Sequence, residues 1–400
     1  MTRTRRILQA GFVILTIVGV FVVKGNAERW CPFGGVEALY TYISEGNMLC
    51  SLGVSNFYIL GAVLLIALLL RRAFCGYACP IGAISEWIHA GGRRIGVKPV
   101  KVPYRLDRVL SKLKYVVLAI ILYFTWTMAE LEFRVADPCY ALLSRHGEDI
   151  TFWAYVVSGA IIVGSLIMMI PFCRWLCPLA AVFHPFSRFG FTRVKRDETA
   201  CTGCGMCSMV CPTAIPVADV KEVTAARCLS CLTCVEACPK FDKGALSWGP
   251  PRRLGGHWPQ SVLIGSLLLI ITAAVAGACL FPMASFIRER GIAPARTETV
   301  DLRIGNLACR GNATLLAYYV ERDDEYALPG YVKIEAWPGP GMARALITFD
   351  PAQTNAQAVR AAITEPYFDA QANLWRMPQF VIEGYDPLEM LELDFDEPSN

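Results

Sequence analysis

Between residues 201 and 239 the chain reads CTGCGMCSMVCP and, after a short interval, CLSCLTCVEACP, which is C-x2-C-x2-C-x3-C-P written twice. No other feature constrains the chain as tightly. Three thiolates at this spacing wrap one corner of a small loop and the fourth crosses to the other loop, the run that ligates paired 4Fe–4S clusters. The spacing assigns Cys201, Cys204, Cys207 and Cys238 to one cluster, and Cys228, Cys231, Cys234 and Cys211 to the other. Pro212 and Pro239 turn the chain away after each crossing ligand, because proline cannot continue a helix. A zinc ribbon has similar paired knuckles but needs four cysteines, where this segment offers eight. The segment reads as an electron carrier.

Of 400 residues, 54% are hydrophobic and 18% charged, the balance of a membrane protein with soluble attachments. Five apolar stretches are long enough to cross a bilayer as transmembrane helices, the second and third marginally so: Ile7–Val23, Leu52–Leu70, Tyr115–Leu131, Phe152–Phe172 and Val262–Phe281. The first follows MTRTRR and reads as a retained anchor or a cleaved signal peptide, with the same orientation either way. From Arg71 to Lys114 there are ten basic residues against Glu86 and Asp107, whereas 24–51 and 132–151 are balanced or acidic. Basic loops stay inside. The N-terminus, 71–114 and the ferredoxin runs are therefore expected on the cytoplasmic side of a bacterial inner membrane, and the C-terminal part outside it. Seventeen cysteines in a long membrane chain, with C-x2-C spacing among them, agree, since they read as cluster ligands facing a reducing compartment. The net charge of +4 is too small to suggest nucleic acid.

The membrane part contains a repeat. FCGYACPIG (Cys75, Cys79) follows the second apolar stretch and FCRWLCPLA (Cys173, Cys177) the fourth; WCPFGG (Cys31) and DPCYALL (Cys139) follow the first and third. The unit is two helices with an outer cysteine and an inner F-C-x3-C-P, and such duplication builds pseudo-symmetric bundles with sites near the repeat interface. A C-x3-C pair is expected to set two thiolates about one helical turn apart on one face. Two pairs supply the four ligands of a third cluster: Cys75, Cys79, Cys173 and Cys177. The plainer alternative is four small buried side chains. Cys31, Cys50 and Cys139 belong to the outer side, where a Cys31–Cys139 pairing or metal site is the weaker candidate.

No histidine falls inside the five stretches: His89, His146, His184 and His257 lie in loops or near ends, so no b-type haem is expected. There is no C-x-x-C-H, no P-loop and no G-x-G-x-x-G opening a helix. Glu86 and His89, beside the first C-x3-C-P, are candidates for assisting quinone protonation, with surface positions as the plainer reading. No catalytic acid or base is otherwise named.

The residues from 297 to 387 alternate as strand (TVDLRIG), helix, strand (YVKIEAW), strand (ARALITFD), helix and strand (PQFVIEGY). That is the βαββαβ ferredoxin-like order of an α+β domain. The tail from Leu388 is acidic. The organisation expected is a mostly α membrane protein: 1–190 membrane domain, 191–250 ferredoxin domain with two 4Fe–4S clusters, 251–290 last transmembrane helix, and 291–400 extracytoplasmic domain with its tail.

Cys75, Cys79, Pro80, Cys173, Cys177, Pro178 and the eight cysteines from Cys201 to Cys238, together with WCPFGG, resemble the membrane polyferredoxins of the NapH, NosR and CcoG types over about residues 5–285. The resemblance implies electron transfer between the quinone pool, or a cytoplasmic donor, and a partner redox subunit in the bilayer. The C-terminal part departs from those relatives and resembles heavy-metal-associated domains, with Cys309 at the first thiol position of their metal loop and Asn312 at the second. A lone thiolate does not chelate a soft cation in the usual two-coordinate way. A docking or structural role therefore ranks above metal transfer for this domain. The alternative function that the two resemblances imply is an extracytoplasmic copper or heavy-metal reductase, or a metal-handling accessory protein of oxidase or reductase assembly.

Overall fold

Helix Ser55–Leu70 is apolar along its whole length, and its buried residues Ile59, Val63, Ile66 and Leu70 anchor one of two compact units. The computed structural model describes residues 2–22, 31–45, 55–100, 102–128, 152–281, 284, 286–290, 296–308, 310–321, 328–339, 341–369, 374–376 and 378–385. Contacts divide the chain into Met1–Tyr40 with Ser55–Leu280, and Thr41–Val54 with Phe281–Asn400. Cys50, Cys139, His146, Cys309 and the acidic tail lie outside the described residues.

In the first unit, Ser55–Leu70 ends at Arg71, whose φ of 58° is left-handed. Last-turn carbonyls need partners, and here Phe191 N donates to Leu68 O at 2.8 Å and Thr192 N to Leu69 O at 3.0 Å. The fully buried Arg71 guanidinium locks the turn: Nε donates to Thr192 O at 2.7 Å, and Nη1 to Ser187 O at 3.2 Å and Ala225 O at 3.1 Å. Helix Gln260–Leu280 packs along Ser55–Leu70, and helix Pro80–Arg94 along Phe152–Ile167. In the second pair Ser85 Oγ and Ser165 Oγ share a hydrogen bond of 2.7 Å, and His89 Nδ1 lies 3.3 Å from Ser165 O. His89 is thus buried, and Glu86 pairs with Arg5, so neither holds the surface position expected of it.

Among the described residues two helices, Arg3–Val22 and Gln260–Leu280, are long and apolar enough to cross a membrane. The other three expected spans correspond to apolar helices Ser55–Leu70, Leu113–Met128 and Phe152–Ile167 of 16 residues each. At 1.5 Å per residue each reaches about 24 Å, short of a hydrocarbon core of about 30 Å. Helix Thr2–Ile17 is stitched into the unit: the buried Arg5 Nε donates to Gly76 O at 3.0 Å and Nη1 to Thr233 Oγ1 at 3.0 Å, and Gln9 Nε2 donates to Gly76 O at 3.1 Å.

The ferredoxin segment is bracketed by strands β1 (Arg193–Arg196) and β2 (Leu246–Gly249), antiparallel with Arg193 opposite Gly249. It does not sit apart. Ile66, Leu70, Ala73 and Tyr77 share one apolar core with Val194, Ile215, Leu232, Trp248, Leu263 and Leu267.

The second unit is built on strands β3 (Phe286–Glu289), β4 (Glu298–Gly305), β5 (Tyr331–Trp337), β6 (Ala343–Phe349) and β9 (Val381–Ile382), ordered β3-β5-β6-β4-β9 with every pairing antiparallel. Helices Arg310–Glu321 and Ala356–Thr364 follow β4 and β6. Asn355 caps the second by accepting from Ala358 N at 2.8 Å. Leu302, Ile304, Leu316, Ile334, Ile347 and Val359 form the core. The element order is as expected from the alternation, but the last strand shrinks to two residues. β3 and the hairpin β7 (Tyr367–Asp369) and β8 (Leu374–Arg376) were not expected, because runs of three or four residues are too short to show a period.

Asp107, almost fully buried, accepts from Arg174 Nη2 at 2.6 Å, Trp175 Nε1 at 2.8 Å and Arg227 Nη1 at 2.5 Å. Burial pushes its carboxyl up, but the hydrogen bonds of Trp175 and Arg174 and the charges of Arg174 and Arg227 outweigh it and hold the pKa below the usual range. Breaking a buried pair from one side costs about 3–5 kcal/mol. Asp107→Asn is therefore expected to lower the thermal midpoint of the detergent-solubilised protein at pH 7. A depressed folded-state pKa contributes stability above the unfolded value of about 4 that is lost as pH falls through it, so the two proteins converge in acid. Equal midpoints at pH 7 would contradict the buried network.

Candidate metal centres

The two ferredoxin loops take the same path. Each has left-handed residues at the positions before and after its second cysteine: Gly203 (φ 70°) and Gly205 (φ 72°) in the first, Ser230 (φ 48°) and Leu232 (φ 58°) in the second. Left-handed residues turn the chain sharply enough to aim three thiols inward, and glycine does so without strain. Ser230 and Leu232 each cost about 1–2 kcal/mol in this conformation, and burial of Leu229 and Leu232 offsets it. One-turn helices Met206–Met209 and Thr233–Glu236 carry the third cysteines and lead to the fourth, with Cys211 N donating to Ser208 O and Cys238 N to Val235 O.

Cys211, Cys228, Cys231 and Cys234 line a pocket whose other walls are mostly apolar. The Ser230 hydroxyl is buried on its wall with no hydrogen-bond partner among the described residues. Four sulfurs and an orphaned hydroxyl around one space are the donor set a 4Fe–4S cluster uses: thiolates on iron, and a donor for a cluster sulfur. Burial pushes the Cys228 thiol up to about 11, against the opposing charge of Arg71. Burial also raises Cys234 well above its ordinary value, with Cys231, Cys228, Cys211 and Cys207 adding to the rise. Thiols held so ionise when a cation takes the place of the proton.

The first set is more open. Cys204 is exposed, Cys201 and Cys207 interact electrostatically, and Cys238 packs against the apolar core to which Cys207 belongs. The Gly203 N–H, followed by the Arg196 side chain, holds Cys201 below the usual thiol range.

The C-x3-C-P pairs differ from expectation. The two cysteines of each pair do not share a helix face. Cys75 lies in the short helix Ala73–Tyr77 and Cys173 in Pro171–Trp175, while Cys79 and Cys177 are extended N-cap residues of the next helices, Pro80–Arg94 and Pro178–Arg188. The proline is the reason: Pro80 and Pro178 start a helix well but bar the preceding residue from helical backbone. The Gly82 and Ile81 N–H groups consequently favour the anionic form of the Cys79 sulfur, and those of Ala180 and Leu179 that of Cys177. A Cβ at Gly82 would stand 2.8 Å from Cys75 O, so only glycine lets the second helix come so close.

The four thiols nevertheless come together. Cys79 feels Cys75 and Cys177, and Cys173 feels the other three. Burial, followed by their mutual repulsion, raises Cys79 and Cys173, and burial takes Cys177 to about 11. They lie against the second ferredoxin loop: Cys75 and Cys173 pack with Leu229 and Cys231, Arg72 N donates to Cys228 O at 3.2 Å, and a methyl on Gly76 would meet Cys231 Cβ at 3.7 Å. Among the described residues no three His, Cys, Asp or Glu side chains converge on a point for one ion. A lone zinc demands that convergence, whereas the ligands of a cubane attach to separate iron atoms.

Cys31 is half-buried, its carbonyl accepting from Asn56 Nδ2 at 3.0 Å, and Cys279 is exposed. What the sequence did not reveal is a set of buried cations. Arg5, Arg71, Arg72 and Lys114 are each under 5% exposed, although their sequence context reads as ordinary basic loops.

The model of a 4Fe-4S binding domain matches residues 52–98 and 150–196, one match per C-x3-C-P pair, and that of a 4Fe-4S dicluster domain matches 193–239. The putative electron transport protein YccM of Escherichia coli is 30% identical over 55% of this chain and 63% of its own length. The regulatory protein NosR of Pseudomonas aeruginosa is 29% identical over 35% of this chain and 20% of its own. The ferredoxin-type protein NapH of Haemophilus influenzae is 24% identical over 49% and 68%. The chain thus spans less than two thirds of the length of YccM. No solved structure matches. Both C-x3-C-P units and the dicluster segment are thus matched on the residues the structure gathers, and these domains with the relatives YccM, NosR and NapH support a membrane polyferredoxin-type family of 4Fe–4S proteins.

Proposed function

We propose that this chain is an integral-membrane electron-transfer subunit, passing electrons between the quinone pool or a cytoplasmic donor and a partner redox protein. The observation that carries the reading is the continuity of the cysteine sets. Cys207 and Cys234 share one apolar core, and Cys231 and Cys75 both pack against the small cluster that contains Cys173, so the three sets adjoin in series. The assignments are Cys201, Cys204, Cys207 and Cys238 for one cluster, Cys228, Cys231, Cys234 and Cys211 for the second, and Cys75, Cys79, Cys173 and Cys177 for the third. When bound, such clusters supply one-electron transfer. The chain's own part is to hold the thiolates, keep water from the inner sets through Leu229, Leu232 and Ile170, and direct amide N–H groups at the Cys79 and Cys177 sulfurs.

Five crossings, with the N-terminus and ferredoxin segment cytoplasmic and the C-terminal unit outside, follow from the basic loop 71–114. Large side chains left exposed on the apolar helices support lipid contact, among them Leu65, Ile120, Tyr155, Val163 and Leu269. A quinone partner fits a donor in the bilayer, though Glu86 and His89 are engaged internally and are not assigned to it.

A second reading, handling or reduction of copper or another heavy metal outside the membrane, is favoured by the C-terminal unit. Its β9-β4-β6-β5 strand order with two helices supports a ferredoxin-like reading, and the resemblance to heavy-metal-associated domains rests on the sequence. Cys309 is the residue that reading depends on.

Anaerobically purified protein is expected to hold about twelve iron and twelve sulfide per chain, falling to about eight of each in Cys75→Ser with Cys173→Ser. Eight in the parent would remove the third assignment, and none would end the reading. A quinol analogue is expected to reduce the clusters in the full chain. Failure of quinol, with copper-dependent oxidation of prereduced protein that Cys309→Ser abolishes, would favour the second reading.

A further inference from the structure

Arg72 has no role in the cluster assignments, yet it stands at the junction of two of them. It follows the left-handed Arg71 and precedes the short helix of Cys75. Its backbone N donates to Cys228 O at 3.2 Å, and its side chain turns the other way, Nη2 donating to Cys173 O at 3.4 Å. The residue is 2% exposed and its Nε has no hydrogen-bond partner among the described residues. It forms no ion pair with a carboxylate among the described residues. What it does face is sulfur: its charge lies close enough to stabilise anionic Cys173 and Cys177. Lys114, 4% exposed, approaches the same group from helix Leu113–Met128, close to Cys177 and Cys75 and repelled by Arg72 and Arg227.

Two buried cations that repel each other, with no carboxylate paired to either among the described residues, are unfavourable unless an anion shares the site. Neutral thiols do not supply one. Four thiolates around a 4Fe–4S core do, since the assembly carries net negative charge in both oxidation states. We propose that Arg72, supported by Lys114, is the positioning residue that balances the charge of the Cys75, Cys79, Cys173 and Cys177 site and raises its reduction potential. The inference rests on the third-cluster assignment. A fixed cation beside a redox group favours the form with the added electron, so the effect draws electrons toward the membrane-proximal site. The ferredoxin sets have separate cationic neighbours, Arg71 near Cys228 and Arg196 at Cys201, so the effect of Arg72 is local.

The test is a redox titration of the full-length protein in detergent followed by electron paramagnetic resonance, with iron counted on the same samples. Arg72→Gln is expected to shift one of three components to more negative potential and leave two in place, and Arg72→Lys to restore most of the shift. Should Arg72→Gln instead lose about four irons, recovery in Arg72→Lys supports the charge role, and loss in both overturns it in favour of packing alone. Lys114→Met is the second variant, expected to move the same component in the same direction. Unchanged potentials in Arg72→Gln, or an equal shift of all components, overturn the proposal. A parent with only about eight irons and two components removes the third site itself, an outcome the iron count separates from the others.

Discussion

The turn at Leu70–Ala73 is the constraint on which the rest of the first unit depends. One helix ends there, and its last carbonyls are satisfied by residues arriving from 190–192. Arg71 ties that arrival to the ferredoxin segment, and Arg72 hands a backbone hydrogen bond to Cys228. Because Ile66, Leu70 and Tyr77 share a core with Val194, Leu232 and Trp248, the ferredoxin segment cannot move as a tethered bead. Packed interiors transmit displacement instead of absorbing it. The cysteine sets are therefore held at fixed separations, which is what electron transfer over short distances needs.

Buried charge is the second theme. Arg5, Arg71, Arg72, Lys114 and Asp107 are withdrawn from water in a unit rich in apolar residues. Three are neutralised by carbonyls or countercharges: Arg71 by Thr192, Ser187 and Ala225, Arg5 by Glu86 and Gly76, and Asp107 by Arg174, Trp175 and Arg227. Arg72 and Lys114 are left facing sulfur. The same low dielectric that makes an unpaired charge costly strengthens each of these contacts.

The ferredoxin loops were legible from residue spacing because their geometry is local. Three cysteines and two left-handed positions lie within seven residues, and no distant contact is needed to bring those thiols together. The C-x3-C-P units show where spacing fails. One helical turn is the natural reading of four residues, yet the proline makes Cys79 and Cys177 caps of new helices. The consequence favours metal binding, since it directs amide donors at sulfur. The C-terminal strands were visible through alternation, whereas the short β3 and the β7–β8 hairpin depend on pairing across the chain.

By itself the sequence determined the cofactor class, through cysteine spacing that only a few ligand geometries accept, and the order of strands and helices, through hydrophobic period. Tertiary structure alone decided which cysteines stand together across a hundred residues, and that the basic residues at 5, 71, 72 and 114 lie inside instead of in solvent. The physical reason is that a charge is placed by what surrounds it in space, and periodicity carries no record of partners so distant in the chain.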